Sequence, residues 1–345
     1  MDEEASVRPE RSSAGDETSL GLGADESPAT RQALVGKSLA IEQLRELIER
    51  VGPTDSTVLI SGESGTGKAL VARELWARSP RRDRPFITID CGSLVSTLFE
   101  SELFGHVRGA FTGATTTKHG WLELANGGSV FFDEIANISP EIQGKLLRVI
   151  QDRAFSRVGS TQLMSVDVRI IAATNKDLLE EIRQRRFRED LYYRLCVVPL
   201  ACPPLRRHRE DIPLLAHHFL RIYSARLGRK TAGFSPEALD LLARYDWPGN
   251  VRELENVIER AVVMANGPLL TPAEFLRHGP GLPAASPAVG TEPEKSLADV
   301  EREHIRSVLL FCGGSRREAC ARLGIDRKTL WRKMKKYGLP ARGRG

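Results

Sequence analysis

The chain has 345 residues, 41% of them hydrophobic and 28% charged, with a formal net charge of +5, enough apolar material for two or three domains with their own cores. Its five cysteines (Cys91, Cys196, Cys202, Cys312, Cys320) form no Cys-x-x-Cys pair, so neither a disulfide framework nor a zinc knuckle is supported. No apolar run reaches the roughly 20 residues of a membrane span, and the acidic N-terminus lacks a signal-peptide layout; the expectation is a soluble, reduced, cytoplasmic protein with no membrane partner.

The charge is not evenly spread. Residues 1–30 hold 8 acidic and 2 basic side chains, whereas 301–345 hold 4 acidic and 13 basic. An acidic head, a near-neutral body and a basic tail are different objects. The head, 1–30, is rich in Ser, Gly, Asp and Glu and poor in large apolar residues, so it is expected to be disordered and is too short for a folded sensory domain.

Between 31 and 202, helical spacing at Ile41, Leu44, Leu47 and Ile48 precedes strand-like runs at 56–60, 86–89, 129–132 and 168–173. Helical stretches separate them, which predicts an α/β fold with a mostly parallel sheet flanked by helices. After Pro203-Pro204 the strands are expected to stop. Helical patterns at 211–227, 236–245 and 250–265 make a small all-helical unit over 203–277. A Gly-, Pro-, Ala- and Ser-rich linker over 278–296 follows.

The first strand runs into Gly62-Glu63-Ser64-Gly65-Thr66-Gly67-Lys68. A Gly-x-x-x-x-Gly-Lys segment between strand and helix suits a phosphate cradle: backbone N–H groups turn inward and Lys68 reaches the β- and γ-phosphates of ATP. A plain glycine turn with a surface lysine is the alternative. Ala69 stands where many such loops carry a Mg²⁺-binding hydroxyl, so the metal depends on other oxygens. Asp133 and Glu134 end the apolar run Val130-Phe131-Phe132; the first suits Mg²⁺ and the second a water aimed at the γ-phosphate. A solvated turn explains such a pair about as often when it stands alone. Thr174 and Asn175 end the next strand and are placed to sense a γ-phosphate. Arg188 and Arg194 suit donation to a neighbouring subunit's nucleotide, or surface pairing with Glu189 or Asp190. Arg252 opens a helix of the all-helical unit and is placed to reach the nucleotide from that side.

In the basic tail, 297–345, a helix is predicted over 299–311 on Val300, Ile305 and Leu309. Gly313-Gly314-Ser315 breaks it, with Ser315 as a cap for a helix over 316–323. A turn at Gly324-Ile325-Asp326 leads to the basic stretch 327–336. Two short helices around a glycine turn fit a helix-turn-helix. Ala319, Leu323, Ile325 and Leu330 are its expected core; Arg327, Lys328, Thr329, Arg332 and Lys333 are expected to face a DNA groove or its phosphates. A solvated basic helix is the alternative. So small a unit is expected to bind palindromic double-stranded DNA as a dimer.

These motifs resemble the AAA+ transcription activators that work on sigma-54 RNA polymerase, the NtrC-like bacterial enhancer-binding proteins. The segment Glu100-Ser-Glu-Leu-Phe-Gly-His106, followed by Gly109-Ala110-Phe111-Thr112-Gly113-Ala114, carries the resemblance. It spans about 34–276 and 296–339. From composition alone a buried Phe111 is the simpler expectation; the resemblance implies an exposed loop tip that contacts sigma-54. It further implies a P-loop ATPase that hydrolyses ATP with Mg²⁺ and remodels the closed polymerase complex from upstream sites, as a dimer or a hexameric ring. Lys68, Asp133, Glu134, Thr174 with Asn175, Arg188, Arg194 and Arg252 take the corresponding phosphate, metal, water, sensor and arginine-finger roles. The tail matches the family's Fis-like layout. Asp90 departs from the family's usual Asn, and a second carboxylate there is expected to repel Glu134 or share a proton with it. A head without a sensor domain implies control by a regulatory partner protein or constitutive activity. The other classes weighed are an AAA+-fold DNA-binding regulator that does no remodelling, and an AAA+ chaperone or helicase motor.

Overall fold

The computed structural model describes residues 34–265, 267–276, 297–312 and 315–338. The acidic head, the linker at 278–296, the glycine pair Gly313-Gly314 and the side chain of Val300 lie outside the described residues. By its contacts the chain divides into two compact units, Met1–Pro280 and Gly281–Gly345.

The first unit opens with α1 (Leu39–Val51), whose N-terminus is capped by the Ser38 side chain on the Ile41 N–H. Ile41, Leu44, Ile48 and Val51 form its buried stripe, the three-to-four spacing of a helix with one apolar face. β1 (Val58–Ser61), α2 (Lys68–Ala77), β2 (Phe86–Asp90), α3 (Ser96–Phe104), α4 (Trp121–Leu124) and β3 (Ser129–Asp133) follow. Next come α5 (Pro140–Asp152), the hairpin β4 (Ala154–Ser156) and β5 (Leu163–Ser165), then β6 (Arg169–Thr174), α6 (Leu178–Arg183), α7 (Glu189–Leu195) and β7 (Val198–Ala201).

Five strands form one sheet in the order β2-β3-β6-β1-β7, and every pairing in it is parallel. Both faces are covered. Phe132, Ile170 and Ala172 join a cluster with Phe99, Phe104 and Leu146. Their strand neighbours Phe131, Ile171 and Ala173 point the other way, to Ile48, Val71 and Leu75. The two-residue alternation of a strand thus feeds two cores.

To the four strands read from the sequence the structure adds the hairpin β4–β5 and, in the parallel sheet, the edge strand β7. β7 contains Pro199, opposite Leu59 of β1. Proline lacks a ladder N–H, and the chain tolerates it because β7 is an edge strand. Strands also do not end at Pro204. Among the helices α8 (Ile212–Leu227), α9 (Pro236–Arg244), α10 (Asn250–Met264) and α11 (Pro272–Leu276), the two-residue strands β8 (Gly233–Phe234) and β9 (Leu269–Leu270) pair in parallel. Two residues are too few to show a period.

The second unit consists of α12 (Leu297–Phe311), α13 (Arg316–Leu323) and α14 (Arg327–Lys336). Ile305, Cys312, Ala319, Leu330 and Met334 are its buried core, with Leu323 and Ile325 packed against it. Ser315 stands at the N-cap of α13 but its side chain makes no capping bond, contrary to the sequence expectation. Asp326 does cap α14, accepting the Thr329 N–H at 2.9 Å and the Thr329 hydroxyl at 2.7 Å.

Candidate functional site

Because β1, β6 and β3 are neighbours, their C-terminal ends bring the glycine loop, Thr174-Asn175 and Asp133-Glu134 to one edge of the sheet. That edge, where the strand order reverses, is where open α/β sheets bind ligands. Gly65 and Gly67 both take left-handed backbone, φ 78° and 91°. A Cβ on Gly65 would lie 2.2 Å from the Gly249 carbonyl oxygen, so only glycine lets the loop approach the helical unit this closely. The buried Lys68 ammonium donates to the carbonyls of Gly62 (3.0 Å) and Glu63 (3.2 Å), with the Glu134 carboxylate at 3.6 Å. Thr66 donates its hydroxyl to the Glu63 carbonyl at 2.8 Å.

Glu134 itself holds left-handed backbone, φ 54° and ψ 47°, which costs a non-glycine residue on the order of 1–2 kcal/mol. Its carboxylate accepts the Asn175 backbone N–H at 3.2 Å. The Thr174 hydroxyl is engaged with the backbone of Lys176, at 3.0 Å to its N–H, so of this pair it is Asn175 that meets Glu134. The Asp133 carboxyl is held above the ordinary range, first by burial and then by the Glu134 charge, with Lys68 opposing and Asp90 adding a smaller push. Asp90 pairs in register with Asp133 across β2 and β3, and its carboxylate accepts the Gly92 N–H at 2.8 Å. Its repulsion falls on Asp133 and on the Cys91 thiol, which burial pushes up first.

The helical unit closes the site from the other side, and here sequence reading missed most of the contacts. At the turn before α10, Trp247 (φ 50°) and Asn250 (φ 53°) are both fully buried in left-handed backbone. The Asn250 side chain accepts the Leu205 N–H at 2.9 Å and donates to the Ser64 carbonyl at 3.0 Å and the Glu63 carboxylate at 3.2 Å. Arg206 grips the same Glu63 carboxylate at 2.5 and 2.7 Å, and these two donors lower its pKa to about 2. Arg252 donates its backbone N–H to Gly65 at 3.3 Å and its guanidinium to the Ser64 hydroxyl at 3.2 Å. A pocket runs from Gly65, Thr66, Gly67 and Ala69 past Arg252 to apolar walls that include Val35, Leu215, Phe219 and Val251, with His218 and Glu255 among its polar groups. The four-residue step from Leu215 to Phe219 marks these walls in the sequence as helical, but not as facing a ligand.

Arg188 and Arg194 do not line this pocket. Arg188 is paired with Asp190 at 2.7 Å, and Arg194 is exposed on α7.

The segment 109–114 forms a compact exposed turn, closed by the Gly109 N–H to the Ala114 carbonyl at 2.9 Å. Phe111 is 46% exposed, which settles the choice between buried and exposed left open by composition. Its ring meets the buried His106 edge-on, centroids 5.0 Å apart, and His106 Nδ1 is 2.8 Å from the Ser101 hydroxyl.

On α14, Arg327, Lys328 and Arg332 are exposed and Thr329 belongs to the cap. Lys333 departs from the expected outward face. It is ion-paired with Glu301 of α12, which also accepts the Tyr337 hydroxyl at 2.5 Å. With Leu330 and Met334 facing the core, the helical period carries Lys333 to the α12 side.

The strand order and the helical lid on the glycine loop define an AAA+ α/β unit, followed by an all-α helix-turn-helix. Comparison with known proteins agrees. Residues 34–201 match the Sigma-54 interaction domain, 206–280 the AAA+ ATPase lid domain, and 296–337 the bacterial regulatory protein, Fis family. The transcriptional regulatory protein ZraR of Klebsiella oxytoca is 51% identical over 309 residues, covering 90% of this chain and 70% of that protein. The nitrogen fixation protein AnfA of Azotobacter vinelandii is 44% identical over 313 residues, 89% of this chain and 57% of that protein. Among solved structures, NtrX from Brucella abortus in complex with ATP superposes with a TM-score of 0.68 at 37% identity, covering 90% of this chain and 71% of that one. The chain belongs to the sigma-54-dependent AAA+ transcriptional regulators. No helix among the described residues is long and apolar enough to cross a membrane.

Proposed function

We propose that the chain is an ATP-driven activator: it binds upstream DNA through its tail, hydrolyses ATP between sheet and lid, and uses that cycle to remodel the closed complex of the sigma-54 RNA polymerase holoenzyme. In this reading 31–202 and 203–277 are motor and lid, 278–296 is a linker, and 297–345 reads DNA as a dimer. The observation that carries it is the meeting of Lys68, Glu134 and Asn175, at 3.6 and 3.2 Å, beside the glycine loop.

The backbone N–H groups of the loop hold the phosphates, and Lys68 moves from the Gly62 and Glu63 carbonyls to their β- and γ-oxygens. Glu134, released from that lysine, orients the attacking water. Asp133 is the residue to hold Mg²⁺, which when bound neutralises charge on the phosphates. Among the described residues no group of three or more His, Cys, Asp or Glu side chains is arranged for a metal, which suits an ion that takes most of its oxygens from phosphate and water. Asn175 reads the state of Glu134 through its N–H, and Arg252 reports from the lid. Arg188 and Arg194, absent from their own chain's pocket, serve the nucleotide of the next protomer in a ring, and the exposed Phe111 and Thr112 turn meets sigma-54.

In vitro transcription from a supercoiled template, with sigma-54 polymerase and ATP, tests this reading. Open complexes should form with ATP, and neither with a non-hydrolysable analogue nor with Lys68→Ala. Equal transcription in all three would establish the alternative, a DNA-binding regulator that does no remodelling.

A further inference from the structure

Helix α14 has one face committed to the fold and one that is not. Leu330 and Met334 are buried and Lys333 is tied to Glu301. On the other face the largest side chain is an indole: Trp331 is 59% exposed. Arg327 and Lys328 precede it by one helical turn, Arg332 adjoins it, and Lys335 follows one turn later. All four cations are exposed, and the Lys335 ammonium sits 5.4 Å from the centre of the indole ring. Together with Arg316 of α13, Trp331 lines a concave surface between the two helices.

Two physical requirements narrow the partner. Four cations around one residue select a polyanion, and phosphate contacts on such a helix fix register without reading sequence. The indole contributes nothing to this charge, and its exposed apolar area has no partner among the core residues of α12 and α13. The major groove of duplex DNA presents one strongly apolar group, the C5-methyl of thymine.

We propose that Trp331 is a specificity-determining residue that packs against a thymine methyl in each half-site, while the surrounding cations hold the phosphates. This rests on the reading of the tail as a DNA-binding unit.

The test uses the full chain. Binding sites are first selected from a random duplex pool, and each thymine of the selected site is then replaced by uracil, which removes only the methyl. The wild-type chain should lose about three- to tenfold in affinity at one thymine per half-site. Trp331→Ala should bind more weakly and no longer distinguish thymine from uracil there, while Trp331→Phe should keep part of the discrimination. Arg332→Ala should keep the discrimination and lower the slope of log K against log salt by about 1. Trp331→Ala that still discriminates, wild type indifferent at every thymine, or a Trp331→Ala defect confined to self-association would each overturn the proposal with the DNA reading intact. Failure of the wild-type chain to enrich any site would overturn that reading and the proposal together.

Discussion

The Glu134 carboxylate accepts the backbone N–H of Asn175 across the ends of two neighbouring strands, at 3.2 Å. Asp90, one strand further out, spends its own carboxylate on Gly92. The group expected from sequence to trouble Glu134 adds a small push on Asp133, and the Glu134 carboxylate is held by a backbone donor with a lysine beside it.

Glu134→Gln keeps an oxygen for the Asn175 N–H and loses the charge that faces Lys68. Nucleotide affinity should stay within about threefold, and the hydrolysis rate should fall by about 10²–10⁴, the span of a general-base contribution. Filter binding and single-turnover hydrolysis on the same preparation separate the two effects.

Asp133 titrates above the ordinary aspartate range, chiefly because it is buried and secondly because Glu134 is beside it. A carboxyl raised by folding adds stability that is fully present below its unfolded pKa and is lost as pH rises through the folded value. Asp133→Asn removes that loss. Without nucleotide, its Tm should equal or exceed that of the wild type at pH 7, and the gap should close by pH 3. Added Mg²⁺ and ATP should raise the wild-type Tm and leave that of the variant nearly unchanged.

Asn250 ties the lid to the glycine loop from a left-handed backbone position. Asn250→Ala strands the Leu205 N–H and strains the turn, for a loss of about 2–4 kcal/mol in denaturant unfolding. Asn250→Gly should recover only the backbone share of that loss. Both should raise the KM for nucleotide more than they lower kcat, because the loop is less well positioned before chemistry begins.

Arg332 and Lys333 are adjacent yet unequal. Arg332→Ala should reduce the slope of log K against log salt for DNA binding by about 1. Lys333→Ala should leave the slope unchanged and lower the Tm of the tail, since it breaks the pair with Glu301. Equal slopes in the two variants would contradict this division of the helix.

Much of the molecule was legible because local rules write it into neighbouring residues. Near-continuous apolar runs at 129–132 and 168–173 mark strands buried on both faces, Gly62 to Lys68 marks a phosphate cradle, and the charge excess after 301 marks the tail. Pro199 hid an edge strand, since proline argues against a strand unless the sheet position is known. The Ser315 side chain, a capping residue by type, makes no cap, because residue type does not fix a rotamer.

The sequence by itself determined the main helices and four strands of the parallel sheet, the glycine loop, the carboxylate pair and the place of the Phe111 segment. Tertiary structure alone decided which distant groups meet. Asn250 and Arg206 reach Glu63 from 187 and 143 residues away, and Arg169 lies buried on the carbonyls of Val51 and Gly52, at 3.2 and 2.9 Å. Periodicity reports which face of an element is apolar. It carries nothing about which polar group on another element will satisfy a buried donor, because that pairing is set by how the sheet, the lid and the tail helices pack.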